Sequence, residues 1–220
     1  MQPQPAKLSP VAIMGIVGAL VVVATIAVLT LANRAAPVAT TSSGAIDVTR
    51  LVRPDSPVYG PADAKVTLVE FLDPECEACR AIHPVVNDLK TKYKDRFRLV
   101  VRYMPLHSNS ILAASAAEAA GAQGRYWEYL DVLYRTQSEW GEKQTPQRER
   151  FLEYARVLNL DLAAFEKAID DPKWAAKVER DRVDGVTSGV KGTPTFFLDG
   201  KLLELKALGD LEAAMKTALE

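Results

Sequence analysis

The chain has two cysteines, Cys76 and Cys79, in the run Cys76-Glu77-Ala78-Cys79. A pair at that spacing can cycle between dithiol and disulfide, or it can offer two soft ligands to a metal. It cannot serve as the framework of a disulfide-stapled fold, and a chain of 220 residues buries a core without one. The cysteines are therefore read as reactive. Ile82, Val85, Val86, Leu89 and Tyr93 recur after them at helical spacing, so the pair opens a helix. A thiolate at a helix N-terminus is stabilised by the macrodipole and by unpaired backbone N–H groups. Cys76 is accordingly the expected nucleophile, and Cys79, a turn further on, the thiol that resolves a mixed disulfide. The alternative is a copper- or zinc-binding or delivery module that uses Cys76, Cys79 and His83. A structural zinc site usually has four protein ligands and no fourth is evident, so no metal and no cofactor is assigned.

The elements that must position this pair can be read around it. Residues 66–71 form a strand that is apolar on both faces apart from Glu70, as in a central strand covered on both sides. Glu70 is thereby expected to point inward. A second strand spans 97–104, which makes a β-α-β unit with parallel strands. Helical segments follow around 111–122, 125–136, 147–158, 162–169 and 174–186, broken by Gly121, Gly124, Gly141 and Asp171-Pro172. A strand at 195–198, an Asp199-Gly200 turn, a strand at 202–205 and a last helix carrying Leu211, Ala214, Met215, Ala218 and Leu219 complete the pattern. The expected fold class is α/β, a thioredoxin-like core (β-α-β then β-β-α) spanning 51–220, with a helical insertion at about 108–189.

Ahead of that domain no charged residue occurs between Lys7 and Arg34. After a short flank at 1–10, the apolar run at 11–32 covers roughly 33 Å as a helix, against a hydrocarbon core of about 30 Å. It reads as a single transmembrane anchor. A cleaved signal peptide is the competing reading, but its apolar region is usually about 7–15 residues long. Residues 33–50, rich in Ala, Thr and Ser, read as a flexible linker. A net charge of −1 and the lack of a basic run argue against a nucleic-acid partner.

From about Ser56 onward the chain resembles the DsbA-like branch of the thioredoxin superfamily. The resemblance is carried by Ser56-Pro57-Val58-Tyr59-Gly60 leading through the Glu70 strand into Cys-x-x-Cys, by Gly124-Arg125-Tyr126-Trp127-Glu128, and by Gly192-Thr193-Pro194-Thr195-Phe196-Phe197. It implies a redox-active Cys76–Cys79 disulfide. It also implies that Glu70 is the buried acid that shuttles a proton to or from Cys79, and that Pro194 is the family's cis-proline facing the redox pair. The backbone of Thr193 is then free to pair with an extended substrate strand. Pro84 falls where the family often kinks the active-site helix. The implied activity is protein thiol–disulfide exchange, as oxidase or reductase, with extracytoplasmic proteins as substrates and a membrane redox partner. Such a dithiol domain is most useful in an oxidising compartment, so the expected topology has the N-terminus cytoplasmic and the domain periplasmic or extracytoplasmic.

Strongly oxidising relatives typically carry Pro-His between the cysteines. Here Asp73, Glu75 and Glu77, expected to be exposed and so screened by salt, are expected to oppose a thiolate at Cys76, with Arg80 in partial compensation. The resulting pKa should be below that of free cysteine but above that of the strong oxidases. His107 is given no role, and Tyr126, Trp127 and Tyr129 are read as packing residues.

Overall fold

The computed structural model describes residues 47–220. The expected flank, the anchor at 11–32 and the linker up to residue 46 lie outside the described residues. Among the described residues no helix is long and apolar enough to cross a membrane.

In chain order the elements are α1 (Val48–Leu51), β1 (Val58–Tyr59), β2 (Val66–Leu72), α2 (Glu77–Tyr93), β3 (Phe97–Tyr103), α3 (Ser110–Gly121), α4 (Tyr126–Arg135), α5 (Gln137–Trp140), α6 (Arg148–Val157), α7 (Leu162–Ile169), α8 (Pro172–Thr187), β4 (Thr195–Leu198), β5 (Lys201–Leu202) and α9 (Gly209–Leu219). The sheet runs β1-β3-β2-β4-β5. β2 lies parallel to β3, with Glu70 opposite Val101 and Phe71 opposite Arg102, and antiparallel to β4. This is a thioredoxin-like α/β fold with a helical insertion.

The two faces of β2 explain its near-continuous apolar sequence. Val66 and Leu68 pack with Ile82, Val86 and Leu89 of α2 and with Leu211 and Met215 of α9. Val69 and Phe71 pack on the other face with Val100, Val190 and Phe197. α8 approaches that face so closely that a Cβ at Gly185 would stand 2.9 Å from the Phe71 ring, which requires glycine there. In the insertion, α3 buries Ala113, Ala114, Ala116, Ala117, Ala119 and Ala120. Small side chains around its whole circumference let α4, α7 and α8 pack against it.

The structure differs from the sequence reading in its shortest pieces. α1, β1 and α5 span four, two and four residues, too few to display a period. α1 occupies the end of the expected linker: the Asp47 carboxylate accepts from the Thr49 N–H at 3.0 Å, and Arg102 donates to the Arg50 carbonyl. Tertiary contacts thus fold a stretch whose composition reads as a tether. The Asp199-Gly200 turn has φ of 48° and 79°, as a two-residue hairpin requires. The strand after it is only Lys201–Leu202, rather than the expected 202–205, with one further bond from the Leu203 N–H to the Phe196 carbonyl at 2.9 Å.

Candidate active site

β2 delivers the chain into a turn, Asp73-Pro74-Glu75-Cys76, closed by the Cys76 N–H donating to the Asp73 carbonyl at 3.1 Å. Cys76 is the N-cap of α2, and the N–H of Arg80 donates to its carbonyl at 3.1 Å. The Gln137 amide donates to the carbonyls of Pro74 at 2.9 Å and Cys76 at 3.0 Å, so α5 holds the turn from behind. The sequence reading missed Gln137, because α5 has no periodic signal of its own.

Both cysteines are free thiols in this structure, and they occupy different environments. Cys76 retains 8% exposure and Cys79 none. Cys79 donates its hydrogen bond to the Cys76 sulfur, which outweighs the effect of burial, and contact with Thr193 and the backbone N–H groups of Cys79 and Ala78 add to it. Together they pull the Cys76 pKa down to about 5. Burial, the bond to Cys76 and the charge of Glu70 push Cys79 far above an ordinary thiol. Thr193 meets the pair from the other side of the site: its carbonyl lies 3.5 Å from the Cys76 sulfur, and the Thr193–Pro194 peptide bond is cis. A groove of about 840 Å³ runs past Ala78, Ile82, Thr193, Pro194 and Leu205.

Glu70 is 4% exposed on β2. Burial raises its pKa to about 8, partly offset by the charge of Lys90. Lys90 was not foreseen, although it sits on α2 four residues after the buried Val86 and therefore near the apolar stripe. Its ammonium lies 4.4 Å from the Trp127 ring centroid and 5.0 Å from that of Tyr59, and burial lowers its pKa. Trp127 is thus a packing residue that also faces a half-buried cation.

The expectation that Asp73, Glu75 and Glu77 crowd the thiolate with exposed negative charge needs correction. Glu77 is exposed, but Asp73 and Glu75 are 0% and 2% exposed. The Asp73 carboxylate accepts from Glu75 N–H at 2.9 Å, Leu106 N–H at 2.8 Å, Ser110 Oγ at 2.8 Å and His107 Nδ1 at 2.7 Å. Glu75 accepts from the N–H groups of Asn109 at 2.6 Å and Glu142 at 2.9 Å. Their charges are met by donors on the loops before α3 and α6. His107, given no role from the sequence, belongs to this cluster. His83 sits 2.5 Å from Asp131 and 3.1 Å from Asn87. Among the described residues no group of three or more His, Cys, Asp or Glu is arranged to hold a metal ion.

This arrangement can be set beside known proteins. The chain is 28% identical to a thioredoxin-like oxidoreductase from Silicibacter pomeroyi, with a TM-score of 0.63 over 77% of this chain and 96% of that one. It shares its fold with alpha-DsbA1 of Wolbachia pipientis, at 20% identity and a TM-score of 0.69 over 80% of this chain and 96% of that one. Among curated relatives, it is 38% identical over 162 residues to a Na(+)/H(+) antiporter NhaA of Herminiimonas arsenicoxydans, and 41% identical over 175 residues to an NhaA of Salinispora arenicola. Those matches take in 74% and 77% of this chain but only 24% and 26% of the antiporters, so the chain spans about a quarter of their length. The family described as thioredoxin matches residues 53–217, from just after α1 to the last turns of α9 and including the whole redox turn; the chain belongs to the thioredoxin family.

Proposed function

We propose that the protein is a DsbA-like thiol–disulfide oxidoreductase that exchanges disulfides with extracytoplasmic proteins through Cys76 and Cys79. The observation that carries this reading is the split between two neighbouring thiols, one drawn down to about 5 and the other pushed far up. A thiolate is present at neutral pH only where a substrate can reach it.

In the reductive direction the Cys76 thiolate attacks one sulfur of a substrate disulfide. A mixed disulfide forms and the other substrate sulfur leaves as a thiolate. Glu70, as a carboxylate, takes the proton of Cys79. The Cys79 thiolate attacks the Cys76 sulfur, the second substrate sulfur leaves as a thiolate, the substrate thiolates take up protons from Glu70 and solvent, and the enzyme holds the Cys76–Cys79 disulfide. Two electrons have passed to the substrate. Oxidation of a substrate dithiol is the same sequence reversed, with Glu70 returning the proton. The Thr193 backbone beside Pro194 offers an edge for an extended substrate strand, along the groove that passes Ala78 and Leu205. A membrane redox partner resets the pair, and residues 11–32 anchor the domain on the extracytoplasmic side. The antiport named for the longer relatives concerns proteins of which this chain spans about a quarter, and it is not assigned here.

A Cys76 pKa near 5 lies between the values of about 7 for thioredoxin and about 3.5 for the strongest oxidase. The disulfide is therefore expected to be a weaker oxidant than the strongest, whose potential is about −120 mV. The experiment is expression of Cys79→Ser, which can attack but not release. Mixed disulfides through Cys76, lost in the double Cys76→Ser variant, are the expected result. A variant that accumulates no such adduct would overturn the proposal.

A further inference from the structure

Asp73 joins two loops. Its carboxylate accepts from Glu75 in its own turn and from Leu106, His107 and Ser110 in the segment that leads from β3 into α3, and its carbonyl accepts from the Cys76 N–H. Together with Glu75 it places two buried carboxylates within three residues of the Cys76 sulfur. A buried charge needs a partner. Glu75 finds backbone donors on Asn109 and Glu142. Among the donors to Asp73, His107 is the one that can carry a positive charge, and its side chain is 36% exposed, open to exchange protons with solvent.

We infer that His107 is a positioning residue of the redox centre: bonded through Nδ1 to the buried Asp73 carboxylate, it clamps the turn that presents Cys76 and balances the negative charge of Asp73 and Glu75 while Cys76 is a thiolate. This rests on the reading of Cys76 as the redox nucleophile. The charges that act on His107 are those of Asp73, Cys76 and Glu75 in the turn. α3 contributes the Ser110 hydroxyl, and α4 contributes Tyr134, which donates to the Asp73 carbonyl at 3.4 Å. Burial lowers the His107 pKa, but the Asp73 hydrogen bond and the charges of Asp73, Cys76 and Glu75 outweigh it and raise it.

One of those charges exists only in the reduced protein. When Cys76 and Cys79 form a disulfide the thiolate charge is gone, so His107 must hold its proton less tightly in the oxidised state. Linkage makes the effect reciprocal: protonated His107 lowers the Cys76 pKa, stabilises the reduced form and makes the disulfide a stronger oxidant. Removing the histidine's charge does the opposite.

The test is an NMR titration of the His107 ring in the oxidised and reduced wild-type protein, with its signal told from that of His83 by His83→Gln. A thiolate absorbance titration of His107→Gln, which keeps a donor for Asp73 but no charge, accompanies it. His107 should titrate higher in the reduced protein. In His107→Gln the Cys76 midpoint should rise by about one unit and the disulfide should become about tenfold less oxidising against glutathione, about 30 mV. Equal His107 titration in the two redox states would overturn the inference, as would a folded His107→Gln with the wild-type thiolate midpoint. A protein that forms no Cys76–Cys79 disulfide would remove the proposed function as well, so the two failures are distinguishable.

Discussion

The sheet buries charge on both of its faces, and the two faces treat it in opposite ways. On one, Arg102 of β3 reaches Asp181 and Asp184 of α8 at 2.7 Å each, and Arg53 donates to the same Asp184 at 2.8 Å. Burial opposes ionisation of Asp184, but the arginine hydrogen bonds and charges outweigh it and hold its pKa at about 2. On the other face, Glu70 of β2 sits beneath α2 with the charge of Lys90 as its counterweight, and burial prevails, at about 8. Both carboxylates are buried against the central strands, yet one is locked in its charged form and the other can exchange a proton near neutral pH. Charge paired through hydrogen bonds holds the fold together; charge left short of partners beside a thiol does chemistry.

The sharpest way to break this comparison is to remove the reactive group itself. Cys76→Ser should reduce disulfide exchange to background in an insulin-reduction or glutathione assay, and because the depressed Cys76 pKa stabilises the folded reduced protein above about pH 5, it should lower the stability of that protein at pH 7 by on the order of 3 kcal/mol. Substantial residual exchange would mean that the chemistry lies elsewhere.

Glu70→Gln should act on both rate and stability. Because the folded-state pKa of Glu70 is raised from 4.5 to about 8, the folded protein keeps a proton that the unfolded chain loses above its own pKa. Stability therefore falls as pH rises from about 4.5 to about 8, by on the order of 5 kcal/mol at about 1.36 kcal/mol per unit. The Gln variant should lack that slope in urea denaturation of the oxidised protein at pH 5 and pH 9, where Cys76 is held in the disulfide and does not titrate, and exchange in it should be slowed most near neutral pH. A slope shared by variant and wild type would place the titration in another group.

Arg102→Met should cost about 3–5 kcal/mol, since it leaves Asp181 and Asp184 buried without their main counter-charge. The Cys76 thiolate midpoint of the folded fraction should not move. A shifted thiol would show that the two faces are coupled rather than separate.

The smallest effect should come at the acid edge. The Asp184 pKa is depressed, so its contribution is fully present above about pH 4 and is lost as pH falls to about 2, amounting to about 2 kcal/mol. Asp184→Asn should flatten acid unfolding in that window.

Much of the Glu70 face was legible in the sequence, and little of the Arg102 face was. Glu70 lies in a strand with apolar neighbours on its own side, Val66 and Leu68, so its burial follows from the period of two. Cys76 and Cys79 were legible from their spacing at the head of a helix, whereas the role of the Thr193-Pro194 step came only from the family resemblance. Arg102, Asp181 and Asp184 are ordinary charged residues in strand and helix patterns; their burial depends on α1 and α8 arriving over the same strand, which no local period encodes. His107 and Gln137 escaped for the same reason. Each acts on a turn far away in sequence, 34 residues from His107 and 61 from Gln137. Asp73 and Glu75 were misjudged as exposed because acids next to a reactive motif resemble a solvated loop, while the donors that bury them come from the loops before α3 and α6.

The central claim is that the structure separates the two thiols, and a single titration reads that separation. The reduced protein is treated with a limiting amount of alkylating agent at a series of pH values, and the modified cysteine is located by mass spectrometry. The account predicts modification of Cys76 alone, with a midpoint near pH 5, and no reaction at Cys79 while the fold is intact. Modification of Cys79 first, or a Cys76 midpoint at the ordinary thiol value of about 8.5, would contradict it.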